Sequence, residues 1–413
     1  MDYTLRFRAY PDADTASEAW RHIDIHRQIC NHAVRDHYRT DYNDRPSAYD
    51  QHSKLTEWKR QWPTFADVSA HAAQQTVSQI HRDLTVLKEH RKNGRKTGRL
   101  KWQGAGEFRS VAYQSEGYNV NHTTGHDFGT LTLSKIGTVR FRVHRTVPDT
   151  DDIKRTILKK ERTGDWFVCF VVEAEEPEKP NPENIDRTDC VGIDLGIQSY
   201  IHTSNDLAVD CLDLSDEYER YAREQRSLAR KEHESNNWER QRQKVSRAKR
   251  HIKRKVLDFQ HKLSTWLVKE YDVVAVEDLD VKPMLEGSQS AKNKQDAAWR
   301  QFITLLEYKG DLHGTYVETV EPAGTTKECN QCGVETAKPI WVREHSCPAC
   351  GHTEDRDLNA AKNVLDRGFD KLFSDDDIGA GRSESTPVQT VLPTFARIQA
   401  NAKHVVETGS PAP

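Results

Sequence analysis

Four of the eight cysteines fall in two CxxC pairs, Cys329-Asn330-Gln331-Cys332-Gly333 and Cys347-Pro348-Ala349-Cys350-Gly351, separated by the fourteen residues from Gly333 to Ser346. No other local pattern restricts the chain so sharply. Reduced thiolates at this spacing suit one tetrahedral Zn2+, and the glycine after each pair fits the tight turn that aims backbone N–H groups at sulfur. With four protein ligands such a zinc has no open position and is structural. His345 and His352 lie nearby, but four sulfurs already suffice. The competing explanation, a pair of disulfides, does not suit an intracellular protein. Cys30, Cys169, Cys190 and Cys211 are scattered and read as small core residues.

A chain of 413 residues with 35% hydrophobic content can form two or three domains with real cores. Its first residues, MDYTLRFRAYPDADTASEAW, carry charge where a signal peptide needs an apolar core. No window approaches the roughly 20 apolar residues of a membrane span, so the expected location is the cytoplasm, associated with the nucleoid when bound to DNA. The net charge of -3 argues mildly against a general nucleic-acid binder. The distribution argues the other way. Arg91, Lys92, Arg95, Lys96, Arg99 and Lys101 form one basic block; Arg240, Arg242, Lys244, Arg247, Lys249, Arg250, Lys253, Arg254 and Lys255 form a longer one. Either run alone reads as a solvated helix face. Two dense runs in an otherwise acidic chain point to local grooves for a polyanion. Trp102, Phe108 and Tyr113, after the first run, offer either stacking faces or core packing.

Residues 3–10 alternate like a strand, and the Pro11-Asp12 turn leads into a helix capped by Thr15 or Ser17. A second helical stretch runs from about Phe65 to His90, with Val68, Ala72, Val77, Ile80, Leu84 and Leu87 as one buried stripe. Short strands at 108–113, 130–133, 139–143, 155–160 and 166–173 then suggest a small barrel that takes residues 3–10 as its first strand. The barrel is assigned to 1–14 and 100–176, with a helical insertion at 15–99. The acidic, proline-rich stretch 177–185 reads as a linker. Beyond it a βββαβαβ order, with helices over 215–270 broken around 235–237, is compatible with a ribonuclease H-like fold over 186–322 and 354–367. The cysteine pairs fall in a module at 323–353, and the polar tail 368–413 is expected to lack fixed structure.

Three acids stand out. Asp194 sits inside the apolar strand Val191-Gly192-Ile193-Asp194-Leu195-Gly196, where glycines let another backbone or a phosphate come close. Glu277 ends the continuous apolar run Val273-Val274-Ala275-Val276. Asp357, with Asp355 as its rival, lies at a helix start, where Asp is common simply as a cap. Each alone has an ordinary structural explanation. Carboxylates delivered from two strand ends and a helix start can instead converge on one point, and oxygen ligands without His suit Mg2+ or Mn2+. In a two-metal arrangement Asp194 would bridge both ions, while Glu277 and Asp357 would each hold one.

With these residues in order, the chain resembles the TnpB family, transposon-encoded RNA-guided nucleases related to type V CRISPR effectors. VGIDLG, DFQHKLST, VVAVEDLDV, GTTKECNQCG, CPACG and DRDLNAAKNV occur in the family's order. The resemblance implies a wedge-type β-barrel with a helical recognition insertion, then a RuvC-like nuclease domain carrying a zinc ribbon. It matches Asp194, Glu277 and Asp357 to the catalytic acids, favouring Asp357 over Asp355 because the family's acid stands two residues before the Asn of DxNAA. It further implies a guide RNA copied from the transposon end, a double-stranded DNA target beside a short adjacent motif, and cleavage after an RNA-DNA hybrid forms. Thr326 and Asn330 stand where Ser is commoner in the family. A nuclease-inactive RNA-guided repressor and a guide-free zinc-ribbon accessory protein are the alternative functions.

Overall fold

A computed structural model describes residues 2–94, 96–114, 117–123, 125–279, 298–337, 339 and 342–374. Arg95 and the tail beyond Ser374 lie outside the described residues. The chain divides into two units, Met1–Ala174 and Glu175–Pro413. Among the described residues no helix is long and apolar enough to cross a membrane.

In the first unit, β1 (Asp2–Tyr10), β2 (Ser110–Gln114), β3 (Tyr118–Asn121), β4 (Phe128–Leu133), β5 (Gly137–Arg142), β6 (Ile153–Lys160) and β7 (Trp166–Glu173) form one antiparallel sheet. Its order, β2-β6-β7-β1-β5-β4-β3, leaves the consecutive strands β2 and β3 at the two margins of a nearly closed barrel. Period-two alternation sends Phe7, Val139, Phe141, Val168 and Phe170 inward. The Phe7, Phe141 and Phe170 rings meet pairwise at 5.5 Å between centroids. Tyr113 belongs to this core, its hydroxyl donating to the Ser134 carbonyl, so it offers no stacking face; Trp102 is exposed and Phe108 packs on the core margin.

The helices α1 (Ala13–Arg39), α2 (Ala48–Gln61) and α3 (Ala70–Lys92) follow β1. The cap of α1 is Asp12, which accepts the Thr15 N–H at 2.7 Å, rather than Thr15 or Ser17. A carboxylate one residue before the helix reaches a free N–H more directly than a hydroxyl already inside it. The α2 segment, not anticipated from sequence, starts with a capping box between Ser47 and Asp50. The α3 helix begins at Ala70 rather than near Phe65 because residues Pro63–Ala66 form a separate 3-10 turn. Ile29, Leu55, Trp58, Phe65, Val77 and Ile80 make a core of their own for these helices.

In the second unit, β8 (Cys190–Leu195), β9 (Ser199–Thr203), β10 (Ala208–Asp210), β11 (Val273–Glu277) and β12 (Tyr316–Val320) form a sheet in the order β10-β9-β8-β11-β12. The strands β8, β11 and β12 are parallel, while β9 runs antiparallel between β8 and β10. This is the mixed ribonuclease H-like sheet expected from the element order. Between β10 and β11 come α4 (Ser215–Ala229) and the long α5 (Asn236–Glu270); α6 (Trp299–His313) precedes β12. The break between α4 and α5 is closed by Ser235, whose hydroxyl accepts the Trp238 N–H. The last helix, α7 (Arg356–Ser374), runs seven residues past the boundary placed at residue 367. It continues because Phe369 and Leu372 pack on Cys190 and Val273, so its apolar stripe does not end with the family motif.

The two faces of the sheet are assigned by parity. Val191, Ile193, Val274 and Val276 pack with Phe259, Leu263, Phe302 and Leu306 of α5 and α6. Cys190, Gly192, Asp194, Val273, Ala275 and Glu277 therefore face α7. There the contact is backbone to backbone: a Cβ at Gly192 would overlap the Ala361 carbonyl oxygen and lie 2.5 Å from the Leu365 nitrogen. Gly368 of α7 sits equally tightly over Ala275. Gly192→Ala should destabilise this unit by about 3 kcal/mol or more, since no side-chain movement can relieve a clash with helix backbone. A urea midpoint within error of wild type would contradict this packing.

Candidate functional site

The α7 contact dictates where the acids go. Asp194 lies two residues beyond Gly192, about 7 Å further along the strand. Asp357 lies four residues before Ala361, about 6 Å back along the helix and on the same face. Helix and strand run in opposite senses here, which brings Asp357 near enough for its charge to act on Asp194. Glu277 ends β11 directly beside them, one step beyond the Ile193–Val276 register pair. Asp194, Glu277 and Asp357 are 8%, 5% and 6% exposed. Burial pushes the Asp194 carboxyl well above its ordinary range, and the charges of Glu277 and Asp357 push it further, opposed by Arg356 and Arg343. Glu277 is also raised by burial, opposed by a 2.6 Å hydrogen bond from the Thr325 hydroxyl and by Arg367.

Asp355 has a different occupation. Its Oδ1 accepts the N–H groups of Asp357 at 2.8 Å and Leu358 at 3.3 Å, which caps α7. The guanidinium of Arg343 pairs with Asp357 Oδ2 and that of Arg356 with Oδ1. One further residue joins them. His202 of β9 is the cross-strand partner of Asp194, so both side chains leave the same face. Single ligand atoms of His202, Asp355 and Asp357 lie within 4.8 Å of one another. This imidazole therefore lies among the carboxylates at the start of α7. Its signal in the sequence was only its register in a tight β8–β9 hairpin.

The four sulfurs of Cys329, Cys332, Cys347 and Cys350 form a second cluster. The Cys329–Cys350 and Cys332–Cys347 separations are 3.7 Å and 3.5 Å. A tetrahedron of 2.3 Å bonds has edges of about 3.8 Å, so the cluster can hold such an ion. Gly333 and Gly351 adopt φ of 73° and 76°, the left-handed conformation each knuckle turn requires. The N–H groups of Cys350 and Ala349 bring the Cys347 thiol down to about 6. Neither His345 nor His352 belongs to the sulfur cluster. A hairpin of β13 (Glu344–Ser346) and β14 (Thr353–Asp355) carries the second pair directly into α7.

The cysteine module is tied to the acid site by amides to which the sequence reading gave no role in the fold. Asn359 accepts the Asn330 N–H at 3.0 Å and donates to the Glu328 carbonyl at 2.7 Å. Asn363 donates to the carbonyls of Thr325 and Glu328, both at 2.8 Å. The Asn330 side chain donates to Asp366 at 2.7 Å, which gives a reason for an amide where Ser is commoner. Thr325, held by Asn363 through its backbone, then holds Glu277 through its hydroxyl.

The basic runs are placed unequally. Arg240, Lys244, Arg247 and Arg254 are exposed and spaced four, three and seven residues apart, one face of α5. Lys249 and Lys253 are also exposed, and Arg250 is half-buried. Arg242 turns to Glu239, and Lys255 to Glu217 on α4. Of the first run, Lys96 and Arg99 lie exposed in the loop after α3, with the Arg99 guanidinium 5.4 Å from the Tyr38 ring centre.

A family model described as a Cas12f1-like TNB domain matches residues 299–364, and one described as a probable transposase matches 169–287. A protein of Streptomyces pristinaespiralis, provisionally named an RNA-guided DNA endonuclease, is 30% identical over 394 residues, covering 92% of this chain and 93% of its own. InsQ of Escherichia coli (strain K12), provisionally named likewise, is 27% identical over 270 residues, covering 61% of this chain and 65% of its own. Among solved structures, Cas12f1 in complex with sgRNA and target DNA superposes with a TM-score of 0.57 at 13% identity, over 86% of this chain and 83% of that one. At that identity the likeness shows the fold.

Raised carboxyl pKa values make a pH prediction for the chain without divalent ions. Protonated Asp194 and Glu277 favour the folded state below about pH 4, and that contribution is lost as pH rises through their elevated folded values. Asp194→Asn should therefore raise the melting temperature at pH 7 to 8 and leave it nearly unchanged near pH 4. A variant melting lower than wild type at neutral pH would contradict this account.

Proposed function

Since the chain belongs to the TnpB family of RNA-guided DNA endonucleases, we propose that Asp194, Glu277 and Asp357 are its catalytic acids, in a metal-dependent phosphodiester hydrolysis of guide-selected DNA. The observation that carries this reading is the burial of three carboxylates of which two, Glu277 and Asp357, act by their charge on the third, Asp194, and disfavour it as an anion until a cation arrives. The oxygen-rich donor set fits Mg2+ or Mn2+. Divalent ions held there supply a water nucleophile at neutral pH and charge stabilisation for the departing 3′ oxygen. Asp194, Glu277 and Asp357 would together hold such ions. Thr325 fixes the Glu277 carboxylate, and the α7 contact keeps Asp194 and Asp357 in register.

The guide is a structured RNA from the end of the transposon that encodes the protein, and the target is double-stranded DNA beside a short adjacent motif. Base pairing reads the sequence while the protein grips the backbone. The exposed face of α5, with Arg240, Lys244, Arg247 and Arg254, suits phosphates of such a duplex, and Lys96 and Arg99 offer a second cationic segment. The first unit serves as the wedge-type barrel over 1–14 and 100–176, with 15–99 as its recognition insertion. Zn2+ is the ion of the four-cysteine ribbon and has a structural role.

Sequencing the RNA that copurifies with the chain should give one species of defined ends. Loaded with guides directed to a plasmid, the wild type should cleave it with Mg2+, whereas Asp194→Ala should bind the same target and cut at least a thousandfold more slowly, on the order of the loss of a main transition-state contact. Equal cutting by both would overturn the centre; binding without cutting by the wild type would favour an RNA-guided repressor. Random RNA fragments would favour a guide-free accessory protein.

The ribbon makes its own prediction. Cys329→Ser should lose stoichiometric zinc by elemental analysis and lower the melting temperature, because the Asn359 and Asn363 bonds depend on the folded first knuckle. Retention of full zinc content would exclude the four-sulfur site.

A further inference from the structure

We propose that His202 is a nitrogen ligand of the divalent centre, which makes the site favour Mn2+ over Mg2+. This rests on the nuclease reading above and specifies the metal it uses. Three observations support it. His202 is the direct cross-strand partner of Asp194 and shares the sheet face that α7 covers. Its ligand atom and those of Asp355 and Asp357 lie within 4.8 Å of one another. Metal bonds of about 2.1 Å place neighbouring donors about 3 Å apart and opposite donors about 4.2 Å apart, so one ion spans such a group with little rearrangement.

The third observation is the far side of the ring. His202 Nε2 meets Asp206 Oδ1 at 3.1 Å, in the turn between β9 and β10. A carboxylate on one ring nitrogen is the usual partner of a metal-bound histidine: it holds the tautomer and orientation and leaves the other nitrogen as a lone-pair donor. Nδ1 is then the atom directed to the metal. The α7 cap employs Asp355 Oδ1, so Asp355 can keep its capping role and would offer its other oxygen to the ion. Arg343, a part-exposed side chain, pairs with Asp357 Oδ2 and would have to release that oxygen to an ion.

The donor set then contains one imidazole among carboxylates. Mg2+ demands oxygen and keeps its waters, whereas Mn2+ accepts nitrogen at lower cost. The ring serves as a ligand and takes no proton from substrate.

The experiment is electron spin-echo envelope modulation of Mn2+ added to the full chain with its zinc retained, in an amine-free buffer. Wild type should show 14N modulation from a directly bound imidazole, replaced by the 15N pattern when the protein carries 15N-histidine. His202→Gln should lose it and bind Mn2+ roughly tenfold or more weakly, with a smaller change for Mg2+. Asp206→Asn, which keeps the ring, should retain the modulation and weaken binding less. Mn2+ binding that needs Asp194 and Asp357 but shows no 14N modulation would overturn the role of His202 and leave the nuclease centre standing. Modulation that persists in His202→Gln would overturn it too. Mn2+ binding indifferent to Asp194→Asn and Asp357→Asn would remove the centre itself.

Discussion

The close approach of α7 to the sheet is the constraint on which the rest of the second unit depends. Gly192 and Gly368 remove the side chains that would hold helix and strands apart, and the gap is filled by backbone. Because strand and helix repeats differ, only one sliding position of α7 buries Ala361, Leu365 and Phe369 over β8 and β11. That position also brings Asp357 to Asp194. The energy that assembles the site is thus apolar burial several residues away from it, and it offsets the cost of bringing buried like charges together.

The cysteine ribbon enters the same arrangement from the other face of α7. One stripe of the helix, Asp357, Ala361, Leu365 and Gly368, meets the sheet; another, Asn359, Asn363, Asp366 and Arg367, meets the segment 321–330. Thr325 closes the circuit with its bond to Glu277. The four-cysteine module thereby supports the turn that carries Thr325 and, through it, orients Glu277. This division explains why the cysteine module lies between β12 and α7.

Much of this was legible in residues taken singly. Apolar runs ending in acid marked β8 and β11, the CxxC spacing marked the ribbon, and alternation located most barrel strands. What escaped was of two kinds. Short or polar elements such as α2 and β3 carry too few apolar residues for a period to emerge. Contacts such as Asn330 with Asp366, or His202 beside Asp355 and Asp357, join residues whose types are ordinary in their local setting. Asp355 and Asp357 show the limit well: both are helix-start aspartates in sequence, and only the accepted N–H groups separate the cap from the buried acid.

The sequence alone therefore determined which residue types can hold a metal and on which elements they ride, because strand and ribbon patterns are local and follow from spacing. Tertiary structure decided which of them meet. Proximity across the β8–β9 hairpin and across the sheet–α7 contact depends on register, and register is settled by packing summed over many side chains, a quantity no short stretch of chain contains.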